Sequence, residues 1–407
     1  MIWNKNLRPS LVKKEIGASN AYLMFIGSLL VATGYGATFV LNRHYKSFGG
    51  NELDTGTVLL AAMVGTFASV SIVGWYSRKV GAANLASIGA VFLAIGFLIL
   101  ASSSEVSLIG AIGGCAIGIG WGAFYLAAPM ALSQRVTNEG RSYWFMRFAA
   151  FQMAGIGFSP FVAELFLDNL GLSTTEFFYY VSLSCLGASF LLLAFEKREP
   201  LQRDTRAIEP WVKSLPRILA SPARFPIVMV ALGACVFSGV MTYQSSLVEG
   251  TGLFASTFFL TYAVTVVFAR WTLAELISRL PSSGTVPALL VAMVLGTTLI
   301  FWFEFGVAAQ VLAAALLGLG YGLVYPLIQA QAVNDISDPA DQNAALTWFV
   351  FSYFIGVFGF PLLGGWIIVA FGKTALISVV VLLGSIECLF ALLRNRSVLT
   401  SQALSKT

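Results

Sequence analysis

One arginine lies inside a long apolar segment of the sequence, where a charge is costly. Arg270 follows a mostly hydrophobic stretch that begins at Ser256. An arginine near the centre of a lipid bilayer costs roughly 2.5–3.5 kcal/mol on insertion scales, so its side chain must face water or a partner. The planar guanidinium suits a carboxylate or a phosphate, which it can bind through two parallel hydrogen bonds. Arg270 is therefore the first candidate for binding an anion; an ion pair or a carbonyl contact with another segment is the alternative.

A second cation and several polar or aromatic side chains lie in other apolar segments. Arg147 is about one turn inside its segment, so it either faces the same cavity or extends to the nearby membrane surface. Taken singly, each of the others is more often a packing residue, but the set suits a mid-sized organic molecule with one acidic group. The predicted substrate contacts are Arg270, Arg147, Asn42, Tyr125, Gln152, Tyr243, Tyr325, Gln329, Trp348 and Tyr353.

Acidic residues are scarce in the apolar segments, which narrows the chemistry. No Asp or Glu lies in the middle of the first, fourth, seventh or tenth segment, so the sequence offers no buried carboxylate there for a cation. Glu164, in the outer part of the fifth segment, is the candidate for carrying a proton. We expect no catalytic residue and no cofactor, because the sequence has neither a Walker loop nor a dinucleotide fingerprint. We expect no metal site either, because clusters of ligands at metal-binding spacing are missing.

The composition explains where these side chains must reside. Hydrophobic residues make up 57% of the 407 residues and charged residues 11%, whereas soluble globular proteins carry roughly 25% charged residues. The apolar residues fall into blocks of about 20, the length of a helix that crosses roughly 30 Å of hydrocarbon. The sequence thus predicts an all-α polytopic membrane protein with twelve transmembrane helices in two pseudo-symmetric six-helix bundles. The predicted spans are 21–41, 56–77, 83–103, 107–131, 143–166, 177–195, 225–247, 256–277, 285–303, 307–331, 344–370 and 374–394.

Two glycine motifs occur in both halves of the chain, offset by 200 and 201 positions. The recurring positions are Gly118 and Gly122 with Gly318 and Gly322, and Gly155 and Pro160 with Gly356 and Pro361. Small residues at intervals of four let helix backbones approach closely in lipid, so we expect these positions to pack or slide against neighbouring helices. Internal repeats of a membrane-embedded chain place the functional site between the repeats.

The basic residues predict how the chain is oriented. With both ends of the chain on one side, that side holds 19 of the 24 Lys and Arg residues and the other side holds 3, while Arg147 and Arg270 lie within spans. By the positive-inside rule both termini are cytoplasmic, and we expect the inner membrane of the cell. This distribution accounts for the net charge of +5, so we expect lipid as the surroundings and no nucleic acid as a partner.

The predicted spans and the polar stretches between them divide the chain into five regions. The longest polar stretch separates six spans from six and contains four prolines, so it is typical of a linker. The regions are a cytoplasmic N-terminal segment (1–20), a first six-helix bundle (21–195), a cytoplasmic linker (196–224), a second six-helix bundle (225–394) and a cytoplasmic tail (395–407).

Six spans, a basic linker and six more spans resemble the major facilitator superfamily. The loop after the second span, with Gly74, Arg78, Lys79 and Gly81, looks like that family's signature loop, in which an Asp stands where this chain has Arg78. In the family this loop helps to hold the cytoplasmic side closed, so we expect these four residues to act in gating. The Gly-Pro pairs of spans five and eleven look like the motif of the family's drug-antiporter branch.

The resemblance implies two bundles that rock about a central cavity to carry a small-molecule substrate across the membrane, with the chain working as a monomer. The first hypothesis is a secondary transporter of a small organic anion or an acid-bearing metabolite, coupled to protons or to an exchanged solute. The second is efflux of drugs, siderophores or other amphipathic compounds by proton antiport. The third is a sensor on the same scaffold that does not transport.

Overall fold

The structure of the protein is a computed structural model in which residues 17–103, 108–136, 141–200, 214–273, 276–277, 280–334, 336 and 338–404 are described. These residues are almost entirely helical, and no strand occurs among them. The predicted all-α architecture with twelve spans is confirmed. Most of the N-terminal segment, the centre of the linker and the last three residues of the tail lie outside the described part of the chain.

Six spans form the first half. Two of them begin at capping boxes, in which Asn51 accepts a hydrogen bond from the N–H of Leu53 and Ser173 from that of Glu176. These caps satisfy backbone donors that the first turn of a helix leaves without a partner. Span one comprises Ala18–Ala37, a 3-10 turn at Thr38–Val40 and Leu41–Ser47; spans two to six are Glu52–Val80, Ala82–Ser102, Leu108–Ser133, Arg141–Asn169 and Thr174–Arg198.

Six more spans form the second half, and several of them are interrupted. Span seven breaks at Tyr243, and span eleven contains a π-helical segment directly before Pro361, where a proline removes a backbone donor. A short helix at Leu215–Ala220 precedes this half. Span seven comprises Arg224–Thr242 and Gln244–Val248, span eight is Ala255–Thr272, span nine is Ser282–Thr298 with a 3-10 segment at Leu299–Phe305, and span ten is Val307–Asn334. Span eleven comprises Pro339–Phe354, Ile355–Gly359 and Phe360–Phe371, and span twelve is Lys373–Leu404.

Span eight differs from the other helices in composition. Eleven helices of the described chain are long and apolar enough to cross a membrane, and span eight is not one of them. Its helix has only 18 residues, among them several hydroxyl side chains and Arg270. It nevertheless packs against spans five and ten, which places it inside the bundle. The helix ends at Thr272, before the predicted end of the span at 277, so Arg270 occupies its last turn, where the helix dipole favours a cation.

Spans four and ten use their glycines in the same way. A methyl group added to Gly118 would overlap the backbone carbonyl of Ala62 on span two. A methyl group added to Gly318 would lie 3.1 Å from the carbonyl oxygen of Tyr262 on span eight. Gly122 and Gly322 meet the same two neighbouring helices one turn further along. Each half therefore brings two backbones together through the repeated motif.

The second glycine motif makes an equivalent pair of crossings. Gly155 of span five lies against the backbone of span one at Leu29, and Gly356 of span eleven lies against the backbone of span seven at Ala231. Pro160 and Pro361 follow within each of these helices.

We call the side of the bundle where the linker joins the two halves the linker face, and the opposite side the distal face.

We predict that Gly118→Ala destabilises the protein by about 1–3 kcal/mol, because the added methyl group overfills a backbone contact. Gly187→Ala on span six is the matched control, since nothing lies within 4 Å of the position that its methyl group would take. Alanine is the better helix former by about 1 kcal/mol, so the control should be neutral or stabilising. Thermal unfolding of both variants in the same detergent measures the difference, and equal melting temperatures would refute the packing role of Gly118.

Candidate functional site

Arg270 lies deep in the bundle and has no acidic partner among the described residues. Its Nε donates to the carbonyl oxygen of Gly322 at 2.8 Å. Gly322 is near the middle of the 28-residue span ten, so the guanidinium lies far from both faces. In the part of the chain that the structure describes, no carboxylate lies within ion-pair distance of this guanidinium, and no second hydrogen bond joins it to the protein. Its Nη donors are thus available to a ligand.

Four tyrosines lie near enough to this charge to act on it electrostatically. Tyr125, Tyr262, Tyr321 and Tyr325 all interact electrostatically with Arg270. Tyr125 belongs to span four and the other three to spans eight and ten, so both halves of the chain contribute. Phenol oxygens can accept hydrogen bonds from a guanidinium or donate to an anion that it holds. The site therefore combines one positive charge with groups that can also bind a polar ligand.

Three of the predicted contact residues form one cluster at this position. The hydroxyl groups of Tyr125 and Tyr325 are hydrogen-bonded to each other across the interface between the halves. Tyr353 stacks on Tyr125 with ring centroids 5.5 Å apart and packs edge-on against Tyr325 at 5.4 Å. The equivalent positions of the two repeats therefore meet directly, and aromatic surface extends from them towards span eleven.

Further aromatic residues, which the sequence analysis missed, enlarge the cluster. Tyr35 stacks on Trp121 with ring centroids 4.5 Å apart, and Phe237 stacks on Tyr321 at 4.6 Å. All four side chains are buried. The glycine repeat could have indicated two of them, because Trp121 and Tyr321 occupy the same place in the two copies, 200 positions apart. Tyr35 and Phe237 carry no comparable signal, because nothing in their local sequence shows which way they point.

The remaining predicted contacts are spread along the linker side of the cluster. The guanidinium carbon of Arg147 lies 5.3 Å from the ring centroid of Trp271, the residue after Arg270. Trp348 packs against Phe351 on span eleven at 6.1 Å. Gln152 is buried in span five and Gln329 is half-buried in span ten, one turn after Tyr325. A role for these four side chains in substrate binding stays a prediction.

Asn42, another predicted contact, lies at the distal face, where it joins the two halves. Its Nδ2 donates to the hydroxyl groups of Ser245 and Ser246 on span seven at 3.0 and 2.7 Å. The hydroxyl of Ser246 in turn donates to the carboxylate of Glu52 on span two at 2.6 Å. Lys46 completes the network with ion pairs to Glu52 and to Glu249, both at 2.9 Å. We call these residues the distal closure.

Tyr243 belongs to the same closure. Its hydroxyl donates to the carbonyl of Pro361 and lies 3.2 Å from the carbonyl oxygen of Glu52. The break in span seven places this tyrosine between spans two and eleven, because the helix ends at Thr242 and a new short helix starts at Gln244. Asn42 and Tyr243 are thus engaged with protein groups at the distal face, and their role as substrate ligands stays a prediction.

Glu164, the predicted proton carrier, is bound to a cation. It is buried and accepts from Arg43 of span one in an ion pair, and the same guanidinium contacts Asp168 at 2.6 Å. This triad ties spans one and five together at the distal face of the first half. Whether Glu164 carries a proton stays a prediction.

The signature loop after span two closes onto span six. Gly81 has φ +97° and ends span two, and a methyl group added to it would lie 2.7 Å from a carboxylate oxygen of Glu196. Arg135, at the end of span four, also binds Glu196 and donates to the carbonyl of Glu199 at 2.7 Å. Burial lowers the pKa of the Arg135 guanidinium, and Glu196 opposes that shift, so the arginine stays charged.

The other residues of this loop are less completely described. Lys79 is exposed on the last turn of span two. Gly74 and Arg78 lie in the same helix, but their surroundings are outside the described structure. The expected role of the loop in gating therefore stays a prediction.

The fold and the sequence can now be compared with known proteins. The family model described as Major Facilitator Superfamily matches residues 24–336. No curated protein matches the sequence. Among solved structures, a variant of the nucleoside transporter NupG is similar with a TM-score of 0.71 at 15% sequence identity, covering 92% of this chain and 98% of that one. At this identity the likeness concerns the fold.

The matched region covers most of the chain, including ten spans. The protein is therefore a multi-pass membrane transporter of the twelve-helix type. The chain belongs to the Major Facilitator Superfamily, as the glycine and loop motifs predicted.

We predict that Glu52→Ala opens the distal face. Removal of the acceptor leaves Ser246 without its buried hydrogen bond, at a cost of about 1–3 kcal/mol, which shifts a two-state equilibrium by about 5- to 150-fold. Spin labels at Leu170 in the first half and Phe254 in the second, both exposed near the distal face, should report a longer distance in this variant.

The control for that measurement is Glu176→Ala. Glu176 is an exposed carboxylate on the same face that caps span six within the first half, so its loss should leave the inter-label distance unchanged. If Glu52→Ala gives the wild-type distance distribution, the distal closure does not hold the two halves together.

Proposed function

We propose that this chain carries a small organic anion across the membrane by alternating access, with Arg270 as the residue that binds the anionic group. The observation that carries the proposal is an arginine in the centre of the bundle whose Nη donors have no partner among the described residues. A structural arginine in a membrane protein is normally paired or solvated by several carbonyl groups. Here one carbonyl and four tyrosines surround it, so a ligand with a negative charge completes the site.

The aromatic cluster supports a substrate with a planar ring as well as an acidic group. Tyr125, Tyr325 and Tyr353 offer ring faces and hydroxyl groups within one cluster. Ring stacking contributes about 0.5–1.5 kcal/mol beyond the burial of area. An aromatic carboxylate or a nucleoside phosphate has both features. The nucleoside transporter of similar fold makes uridine a useful neutral comparison for the test below.

Alternating access in this proposal uses the distal closure as one gate. The network of Lys46, Glu52, Ser246 and Glu249 holds the halves together at the distal face. Glycine crossings within each half keep each bundle rigid, so the halves can rock about the central site as bodies. The distribution of basic residues supports a cytoplasmic linker face, cytoplasmic termini and a place in the inner membrane. We propose that a monomer suffices and that transport is coupled to protons or to solute exchange.

Efflux of lipophilic or amphipathic compounds is the second candidate. The observation in its favour is the size of the aromatic cluster, which runs from Tyr35 and Trp121 to Tyr353 through stacked or tilted ring contacts. Aromatic walls of this kind also bind lipophilic cations through their ring faces. An arginine without an acidic partner in the same site repels such cations. Transport of an organic anion is therefore the first proposal.

We expect benzoate or uridine monophosphate to stabilise the purified protein against heat, and uridine and tetraphenylphosphonium to stabilise it less. A ligand at 100 times its dissociation constant contributes about 2.7 kcal/mol. The stabilisation by the anion should vanish in Arg270→Gln and persist in part in Arg270→Lys, because lysine keeps the charge but not the planar fork.

Arg217→Gln is the matched control for this series. Arg217 forms an exposed ion pair with Asp341 at the linker face, so its replacement should preserve stabilisation by the anion. A result in which Arg270→Gln responds to the anions like the wild type rejects the proposed site. Stabilisation by tetraphenylphosphonium that survives in Arg270→Gln supports the efflux candidate instead.

A further inference from the structure

Span twelve carries a carboxyl group in its interior. Glu387 lies 14 residues after the start of the helix, about 21 Å along its axis. The residue is 1% exposed, and its Oε2 is buried without a hydrogen-bond partner. Within the described parts of the chain, no Lys, Arg or His lies within ion-pair distance of it. The group is therefore neither compensated by a cation nor solvated by water on that oxygen.

Span seven makes room for this carboxyl group by means of a glycine. A methyl group added to Gly233 would lie 2.9 Å from both carboxylate oxygens of Glu387. The carboxyl group thus rests on bare helix backbone rather than on a polar side chain. The packing of spans seven and twelve is extensive, so the position is built into the second bundle rather than exposed at its edge.

The titratable groups that interact with Glu387 are all neutral. They are Cys235 of span seven, Cys388 beside it on span twelve and Tyr321 of span ten. The helical part of span nine, Ser282–Thr298, and the distal part of span eleven, Phe360–Phe371, also pack on span twelve and contain no charged residue. The nearest cations along the two helices are Arg394 of span twelve, seven residues after Glu387 and about 10 Å along the axis, and Arg224 of span seven, nine residues before Gly233 and about 13 Å along the axis.

An unpaired carboxylate in such surroundings is strongly unfavourable. Burial without a partner costs several kcal/mol even after the protein relaxes, and a group in this position takes up a proton instead of remaining charged. Ionisable side chains inside a membrane bundle mark proton or ion pathways. The geometry points to Glu387 as a proton-binding site of this transporter, occupied by a proton in the conformation described here.

Phe237 and Tyr321 lie in the region between this carboxyl group and Arg270. One helical turn after Gly233, Phe237 stacks on Tyr321 with ring planes 2° apart. Tyr321 interacts electrostatically with both Glu387 and Arg270 and directly precedes Gly322, whose carbonyl accepts from Arg270. A shift of span seven against span twelve would therefore change the surroundings of both groups together.

The proton and a singly charged anion then cross as a neutral pair; in this respect the inference rests on the proposed function. When span seven moves away and water reaches the site, the O–H bond of Glu387 breaks, the proton passes to water and the carboxylate remains. An electroneutral pair avoids the work of moving a charge against the membrane potential. Protons, rather than exchanged solutes, are then the species to which transport of the anion is coupled.

Infrared spectroscopy of the purified protein tests the site with the proton itself as the ligand. At neutral pH the wild type should show the carbonyl stretch of a protonated carboxylic acid, which Glu387→Gln should lack. Glu387→Asp should shift that band rather than remove it, which separates the assignment from a failure to fold. Glu304→Gln is the control, because Glu304 is exposed at the distal end of span nine. A band that is absent in the wild type, or that has the same intensity in Glu387→Gln as in the wild type, overturns the inference.

Transport in liposomes tests the coupling. A gradient of one pH unit, acid outside, with the membrane potential held at zero by potassium and valinomycin, should drive up to about tenfold accumulation of uridine monophosphate in the wild type and in Glu304→Gln, relative to liposomes without protein. In Glu387→Gln accumulation should fall to about onefold while counterflow of the same anion continues. Accumulation that persists in Glu387→Gln overturns the coupling. If the wild type shows no counterflow of uridine monophosphate, the proposed function fails, and the infrared result still decides the proton site.

Discussion

A guanidinium that is taken out of water must be solvated by the protein, and this constraint organises the centre of the molecule. The carbonyl of Gly322 takes the place of water at Nε of Arg270, although it also belongs to the helix of span ten. It is within reach because Gly322 has no side chain and packs against Val266, one turn before Arg270 on span eight. The glycine repeat therefore does two things at once: it closes the helix crossing, and it presents a backbone oxygen to a charge.

Both halves contain this helix crossing, but only the second half places a charged side chain at it. In the first half, Thr66 of span two donates to the carbonyl of Gly118 at 3.0 Å, so a neutral hydroxyl satisfies the glycine motif there. Tyr125 and Tyr325 keep the symmetry and meet across the interface. Arg270 breaks this symmetry, because the equivalent position of the first half, 200 residues earlier, holds Val70. A pseudo-symmetric frame can thus rock about its centre while only one half fixes the charge of the ligand.

The sequence predicted the features that repeat and missed those that depend on helix rotation. Apolar runs of fixed length determine the number of spans, and the Gly118 and Gly318 motifs survive as equivalent crossings. The end of span eight was missed, because apolar residues continue past Thr272. The partnership of Arg43 with Glu164 joins residues 121 positions apart and depends on how spans one and five face each other. Hydropathy carries no information on that rotation, so the sequence did not predict the contacts that Asn42 and Tyr243 make in the distal closure.

The distribution of charge within the second half argues for a ligand that restores neutrality. Pairs of opposite charge at the distal face, such as Lys46 with Glu249, stabilise themselves and need nothing from outside. Arg270 and Glu387 differ from them because each lacks an opposite charge among the described residues, and packed aromatic rings separate the two. A direct ion pair between Arg270 and Glu387 would have offset the desolvation cost of both side chains, yet the fold holds the two groups apart. Separate sites of opposite polarity are what a carrier needs in order to bind an anion and a proton in one conformation and to release both in another.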